Sequence, residues 1–156
     1  MSMGYVDGPG VPPKSANRIL TQTLVPRLPR LTAIEVELSA AKPGQSTSDV
    51  EMTLMTEHQL LAEEWKTVPV TDCGHVIFLL PNGGVTVARG QVYSIRLTDI
   101  GGVFGWKYVV GGYANGAALL QGKPLLQDSR STFLFRTFGT KCATGDDCDV
   151  FAHPER

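Results

Sequence analysis

Four stretches of the chain alternate apolar and polar residues with a period of two. In LTAIEVELSA (31–40), Ile34, Val36 and Leu38 alternate with Glu35 and Glu37, and in DVEMTLMT (49–56), Val50, Met52 and Leu54 alternate with Glu51 and Thr53. In VYSIRLTD (92–99), Tyr93, Ile95 and Leu97 oppose Ser94 and Arg96; in STFLFRTF (131–138), Phe133 and Phe135 oppose Leu134 and Arg136. Successive side chains of a strand point to opposite faces, so each stretch predicts a half-buried strand with its apolar set turned inward.

Turn chemistry separates these runs. KPGQS (42–46), DCGH (72–75), PNGG (81–84), RGQ (89–91) and DIGG (99–102) each supply a Gly or Asn able to take positive φ, or a Pro that fixes a bend. About eight strands at this spacing predict an all-β fold, an antiparallel two-sheet β-sandwich of jelly-roll type. One segment, TEHQLLAEEWKTVPV (56–70), is ambiguous. Leu61 and Trp65 are spaced for a helical turn, whereas WKTVPV reads as extended. Residues 1–17, rich in Gly and Pro and without apolar periodicity, read as a linker or extended tail. The sandwich domain is placed at 18–141, and 142–156 as a C-terminal acidic loop and tail.

A chain of 156 residues is the size of one domain and can bury roughly 68–70% of its unfolded surface. Its 14 basic and 15 acidic residues are dispersed and nearly cancel. Such a balance creates no single-signed field to gather phosphate backbones or anionic lipid, which argues against nucleic-acid and membrane partners. The apolar stretches are far shorter than the roughly 20 residues of a membrane helix, and no export signal is visible at the start. Of three cysteines, Cys142 and Cys148 bracket the polar segment ATGDD and are placed to close a small disulfide loop, leaving Cys73 unpartnered.

No GxSxG elbow, HExxH helix or Walker A loop occurs, and no catalytic chemistry is expected. His75, at the start of a strand, reads as a satisfied surface or edge histidine. In CATGDDCD (142–149), Asp146, Asp147 and Asp149 form either a solvated acidic turn or part of a calcium site, since calcium takes several oxygen ligands from a flexible loop. GWKYVVGGYANG (105–116) concentrates aromatics in a chain where they are 8% of residues. In a strand, Trp106, Tyr108 and Val110 share one face. There they either fill the core against STFLFRTF or offer their rings to the apolar face of a sugar. Tyr113 and Asn115, beyond the Gly111–Gly112 pair, are better placed for a partner, with Trp106 packed behind them.

The order of ILTQTLVPRLPRLTAIEVEL, GQVYSIRLTD, GWKYVVGGYANG and DSRSTFLFRTFG, spanning about residues 18–139, resembles bacterial galactose-binding-like jelly-roll modules. These are small β-sandwich domains often appended to exported or surface proteins. The shared elements are a Gln before an apolar strand, a Gly-x-x-Tyr strand start, a Trp followed by a Gly-x-Tyr-x-x-Gly turn, and a closing Phe-x-Phe strand. The resemblance implies a non-catalytic module of a longer protein, without a cofactor apart from a structural calcium in some members. Two functions are then open. One is carbohydrate binding through loop aromatics near 104–116 with polar neighbours such as Asn115 and Asp128. The other is a structural or assembly role, in which an apolar surface meets another protein or a second copy.

Overall fold

The structure, a computed structural model, describes residues 19–40, 47–69, 74–99, 104–113, 115–126, 130–141 and 153–155. In chain order the strands are β1 (Ile19–Leu24), β2 (Arg30–Ala40), β3 (Thr47–Met55), β4 (Leu60–Pro69), β5 (Gly74–Leu79), β6 (Val85–Thr86), β7 (Tyr93–Asp99), β8 (Phe104–Trp106), β9 (Tyr108–Val110), β10 (Ala118–Leu120), β11 (Lys123–Pro124), β12 (Ser131–Phe133), β13 (Phe135–Thr140) and β14 (His153–Glu155). A short 3-10 turn at Pro81–Gly83 is the sole helical element among the described residues.

The strands build an all-β antiparallel sandwich. The first sheet runs β11, β10, β1, β7, β3, β4 and the second β14, β13, β2, β5, with β6 and β8 also paired to β2 and with β9 and β12 forming a two-stranded ribbon. The alternation read from the sequence decides which side chains meet between the layers. Val50, Met52 and Leu54 of β3 and Tyr93, Ile95 and Leu97 of β7 face Ile34, Val36 and Leu38 of β2 across one continuous core. Phe133 of the β9–β12 ribbon and Phe135 of β13, two residues apart, join the same core. Burial of large apolar side chains contributes roughly 1.5–3 kcal/mol each and is the main force holding the layers together.

The ambiguous segment resolves into a turn and a strand. The Thr56 hydroxyl accepts hydrogen bonds from the backbone N–H groups of His58 (3.3 Å) and Gln59 (3.0 Å), and the Thr56 N–H donates to the Gln59 carbonyl (2.9 Å). That closed turn reverses the chain, and everything from Leu60 onward is extended along β3. The four-residue spacing of Leu61 and Trp65 therefore marks no helix; Trp65 stands 54% exposed on an edge strand.

Fourteen strands lie among the described residues rather than about eight; several are short additions such as β6 and β11, and two come from breaks in runs that bear on function. Two runs expected to be continuous are each interrupted once, at Lys107 between β8 and β9 and at Leu134 between β12 and β13. At those breaks three strands meet. The Glu37 N–H donates to the Leu134 carbonyl (3.1 Å), the Leu134 N–H to the Lys107 carbonyl (2.8 Å) and the Lys107 N–H to the Glu37 carbonyl (3.0 Å). On one side of this ring β2 pairs with β13; on the other it pairs with β8, while β9 turns to β12. The second sheet thus branches.

Candidate functional site

Beside the branch lies a cleft of about 440 Å³. Val109 and the Phe133–Phe135 segment contribute its apolar lining, and Arg27, Tyr113, Asn115 and Thr132 its polar groups. The loop after β9 forms one wall. Gly111 and Gly112 both take positive φ, 81° and 86°. At Gly112 a Cβ would also stand 3.2 Å from Val109 Cγ2 and 3.4 Å from Thr132 Oγ1, so both conformation and space call for glycine. The Thr132 hydroxyl donates to the Gly111 carbonyl (2.6 Å) and accepts from the Tyr113 N–H (3.2 Å), which fixes the loop on β12.

Tyr113 is held at both ends. Its ring meets Phe135 edge to face, centroids 5.5 Å apart at 89°. Its hydroxyl accepts from the Val25 N–H (2.9 Å) and donates to the Val25 carbonyl (3.1 Å), tying the loop to the segment that follows β1. On the far side, a Cβ at Gly116 would collide with the Thr23 carbonyl and come within 3.0 Å of the Tyr113 ring. Tyr113 is therefore both a wall of the cleft and a latch between the β9 loop and the end of β1. Asn115 lies in the same loop, exposed, and lines the cleft.

Trp106 takes the core alternative. It is 0% exposed, stacked on Phe133 with centroids 4.3 Å apart and planes 6° from parallel. Its indole N–H donates to the Leu134 carbonyl at 2.9 Å, the same oxygen that receives Glu37 in the branch. Buried in this way, Trp106 supports the cleft from behind and cannot touch a ligand. Tyr108 is half-buried and packs against the core rather than lining the cleft. The expected common face of Trp106, Tyr108 and Val110 is broken at Lys107, and it is Val109 that reaches the cleft.

Asp128, the acidic residues Asp146, Asp147 and Asp149, and the cysteines Cys73, Cys142 and Cys148 lie outside the described residues. Among the described residues no group of three or more His, Cys, Asp or Glu is arranged to hold a metal ion. His75 is satisfied as read. Its Nδ1 sits 3.1 Å from a Glu35 carboxylate oxygen and its Nε2 3.5 Å from one of Glu37, on the outer face of the second sheet.

Sequence reasoning missed Arg27, Thr132 and Gln22. Arg27 sits between two prolines in VPRLP and follows no periodicity. Thr132 lies between buried neighbours. Gln22 is wholly buried in β1. Its Oε1 accepts from the Phe133 N–H (2.8 Å), a bond from the first sheet to the ribbon, and its Nε2 donates to the Thr23 carbonyl (2.9 Å). The signal for it was a polar residue on the same inward phase as Leu20 and Leu24. No family model matches this chain, and comparison with characterised proteins gives no match.

Proposed function

We propose that this domain is a non-catalytic carbohydrate-binding module of the galactose-binding-like jelly-roll kind, and that the cleft beside Tyr113 and Asn115 is its ligand site. The observation that carries the reading is the cleft itself. Its volume of about 440 Å³ falls among small-molecule sites, roughly 300–1,000 Å³. It joins an apolar lining, suited to the C–H face of a sugar ring, to an exposed amide able to donate to and accept from hydroxyls. The module works without a cofactor. A glycan array followed by calorimetry on the Asn115→Ala variant tests the proposal. Binding of at least one glycan by the native chain, lost in the variant at unchanged thermal midpoint, is expected; no binding to any glycan overturns it.

A structural or assembly role is the second reading, favoured by apolar side chains left in solvent on the two edge strands. Leu79 of β5 is 72% exposed, and Trp65 of β4 more than half. Sedimentation over a range of protein concentration separates the two, because assembly through this surface predicts a concentration-dependent oligomer that Leu79→Glu disperses.

A further inference from the structure

Building on the carbohydrate-binding reading, we infer that the cleft is one half of a longer groove and that its ligand is a neutral oligosaccharide whose second sugar rests on Glu35, Glu37 and Arg136. A second depression, of about 210 Å³, is lined by these three residues and His75 on the outer face of the second sheet. Leu134 and Phe135 line both this depression and the cleft, so the two meet at the branch. At about 210 Å³ the second depression falls short of an independent small-molecule site, roughly 300–1,000 Å³. As a continuation of the cleft it lengthens a site that is already large enough for one sugar ring.

The strand register presets the polar groups of this half. Glu35 and Glu37, two apart on β2, project from one face. Arg136 of β13 stands opposite Glu35 in the ladder, and His75 of β5 opposite Glu37. The His75 ring reaches one oxygen of each carboxylate, at 3.1 Å on Glu35 and 3.5 Å on Glu37. That contact orders both side chains in advance, which lowers the cost of binding. A carboxylate has two oxygens and about four acceptor sites, so each Glu keeps acceptors beyond its contact with His75, and the Arg136 guanidinium presents five N–H donors. Sugar hydroxyls both donate and accept, and a surface that sets carboxylates beside a guanidinium answers both. Hydrogen bonds to such charged groups are roughly twice as strong as neutral ones. The two carboxylates are matched by Arg136 and by Lys107, whose ammonium lies 3.9 Å from Glu37. No excess of either sign is left to select a charged ligand.

The test is calorimetry on the full chain with galacto-, cello- and xylo-oligosaccharides of one to four units. In at least one series affinity is expected to rise about tenfold or more between one unit and two or three, the order that one or two charge-assisted hydrogen bonds supply. Glu35→Gln and Arg136→Gln are each expected to remove most of that gain, so that the longer ligand falls toward the affinity of the single unit. Asn115→Ala, at the other end of the groove, is expected to weaken short and long ligands together. Affinity that does not change with length in the native chain overturns the second subsite and leaves the carbohydrate-binding reading standing. So does a loss in Glu35→Gln and Arg136→Gln that is equal for one unit and for three. Failure of all three series to bind overturns the inference, and when an array also shows no glycan bound it overturns the carbohydrate-binding reading as well.

Discussion

Tyr113 shows how one hydroxyl can set the shape of a cleft. Its two hydrogen bonds to Val25 join the β9 loop to the end of β1. Removing the oxygen leaves a half-buried N–H and carbonyl to find water. Tyr113→Phe should therefore lower stability by about 1–3 kcal/mol, read as a shift in denaturation midpoint. Tyr113→Ala should cost more, because the edge-to-face contact with Phe135 goes too. For that reason Asn115, not Tyr113, is the residue at which to separate binding from folding. Glu51 is a second case where a single group carries a legible cost. Burial, then the charge of Glu63 and a hydrogen bond from that neighbour, push the Glu51 carboxyl above the ordinary carboxylate range. A carboxyl raised in the folded state favours folding while it is protonated, and that contribution is lost as pH climbs through the raised value. Glu51→Gln, which stays neutral throughout, should accordingly raise the thermal midpoint at neutral pH. The gain should vanish in acid below the ordinary carboxylate value, and a gain independent of pH would assign it to packing instead.

The strands divide into those whose faces a reader of the sequence can assign and those that the third dimension cuts. β2, β3 and β7 are legible because each alternates over several residues against polar partners, and a half-buried sheet leaves one choice of face. All of the residues assigned inward on those strands, with Phe133 and Phe135, are in the core. Phe135→Ala should then cost about 3–5 kcal/mol through lost burial and the cavity it leaves, seen as an early denaturation midpoint. The branch at Glu37, Lys107 and Leu134 was not legible, since it depends on backbone groups about 70 and about 27 residues apart along the chain. Nothing in WKY or FLF marks a break. The cleft depends on that branch, so its outline was hidden as well, although Tyr113 and Asn115 were found from the glycines beside them. Gln22 is the element-scale tie between layers. With Gln22→Ala the Phe133 N–H loses its acceptor inside the core, and a loss of about 1–3 kcal/mol is expected. Hydrogen exchange should localise it, with the Phe133 amide losing protection more than the amides of the following strand β13.

At the scale of the whole molecule the sandwich has one side where both sheets end, β4 closing the first and β5 the second. Unpaired strand edges invite pairing with other chains, and natural sandwiches guard them with charged side chains turned into the gap. Here Lys66 crosses that gap. Its ammonium donates to the Ile77 carbonyl of β5 at 2.9 Å, so a charge of the first sheet occupies an edge acceptor of the second. The bond is exposed, and exposed charged contacts contribute little to stability, about 0–1 kcal/mol. What Lys66 supplies is a desolvation penalty for any strand that would dock there. The two effects separate in one variant. Lys66→Thr keeps a residue suited to a strand, removes the charge and frees the Ile77 carbonyl beside the exposed Leu79 and Trp65. The denaturation midpoint should move little, while light scattering on heating or prolonged storage should show aggregation setting in at lower temperature and lower protein concentration than in the native chain. A large loss of midpoint with unchanged scattering would instead make Lys66 a brace between the layers. Restoring the guard from the other strand with Ile77→Lys should suppress the aggregation again if edge protection is its role.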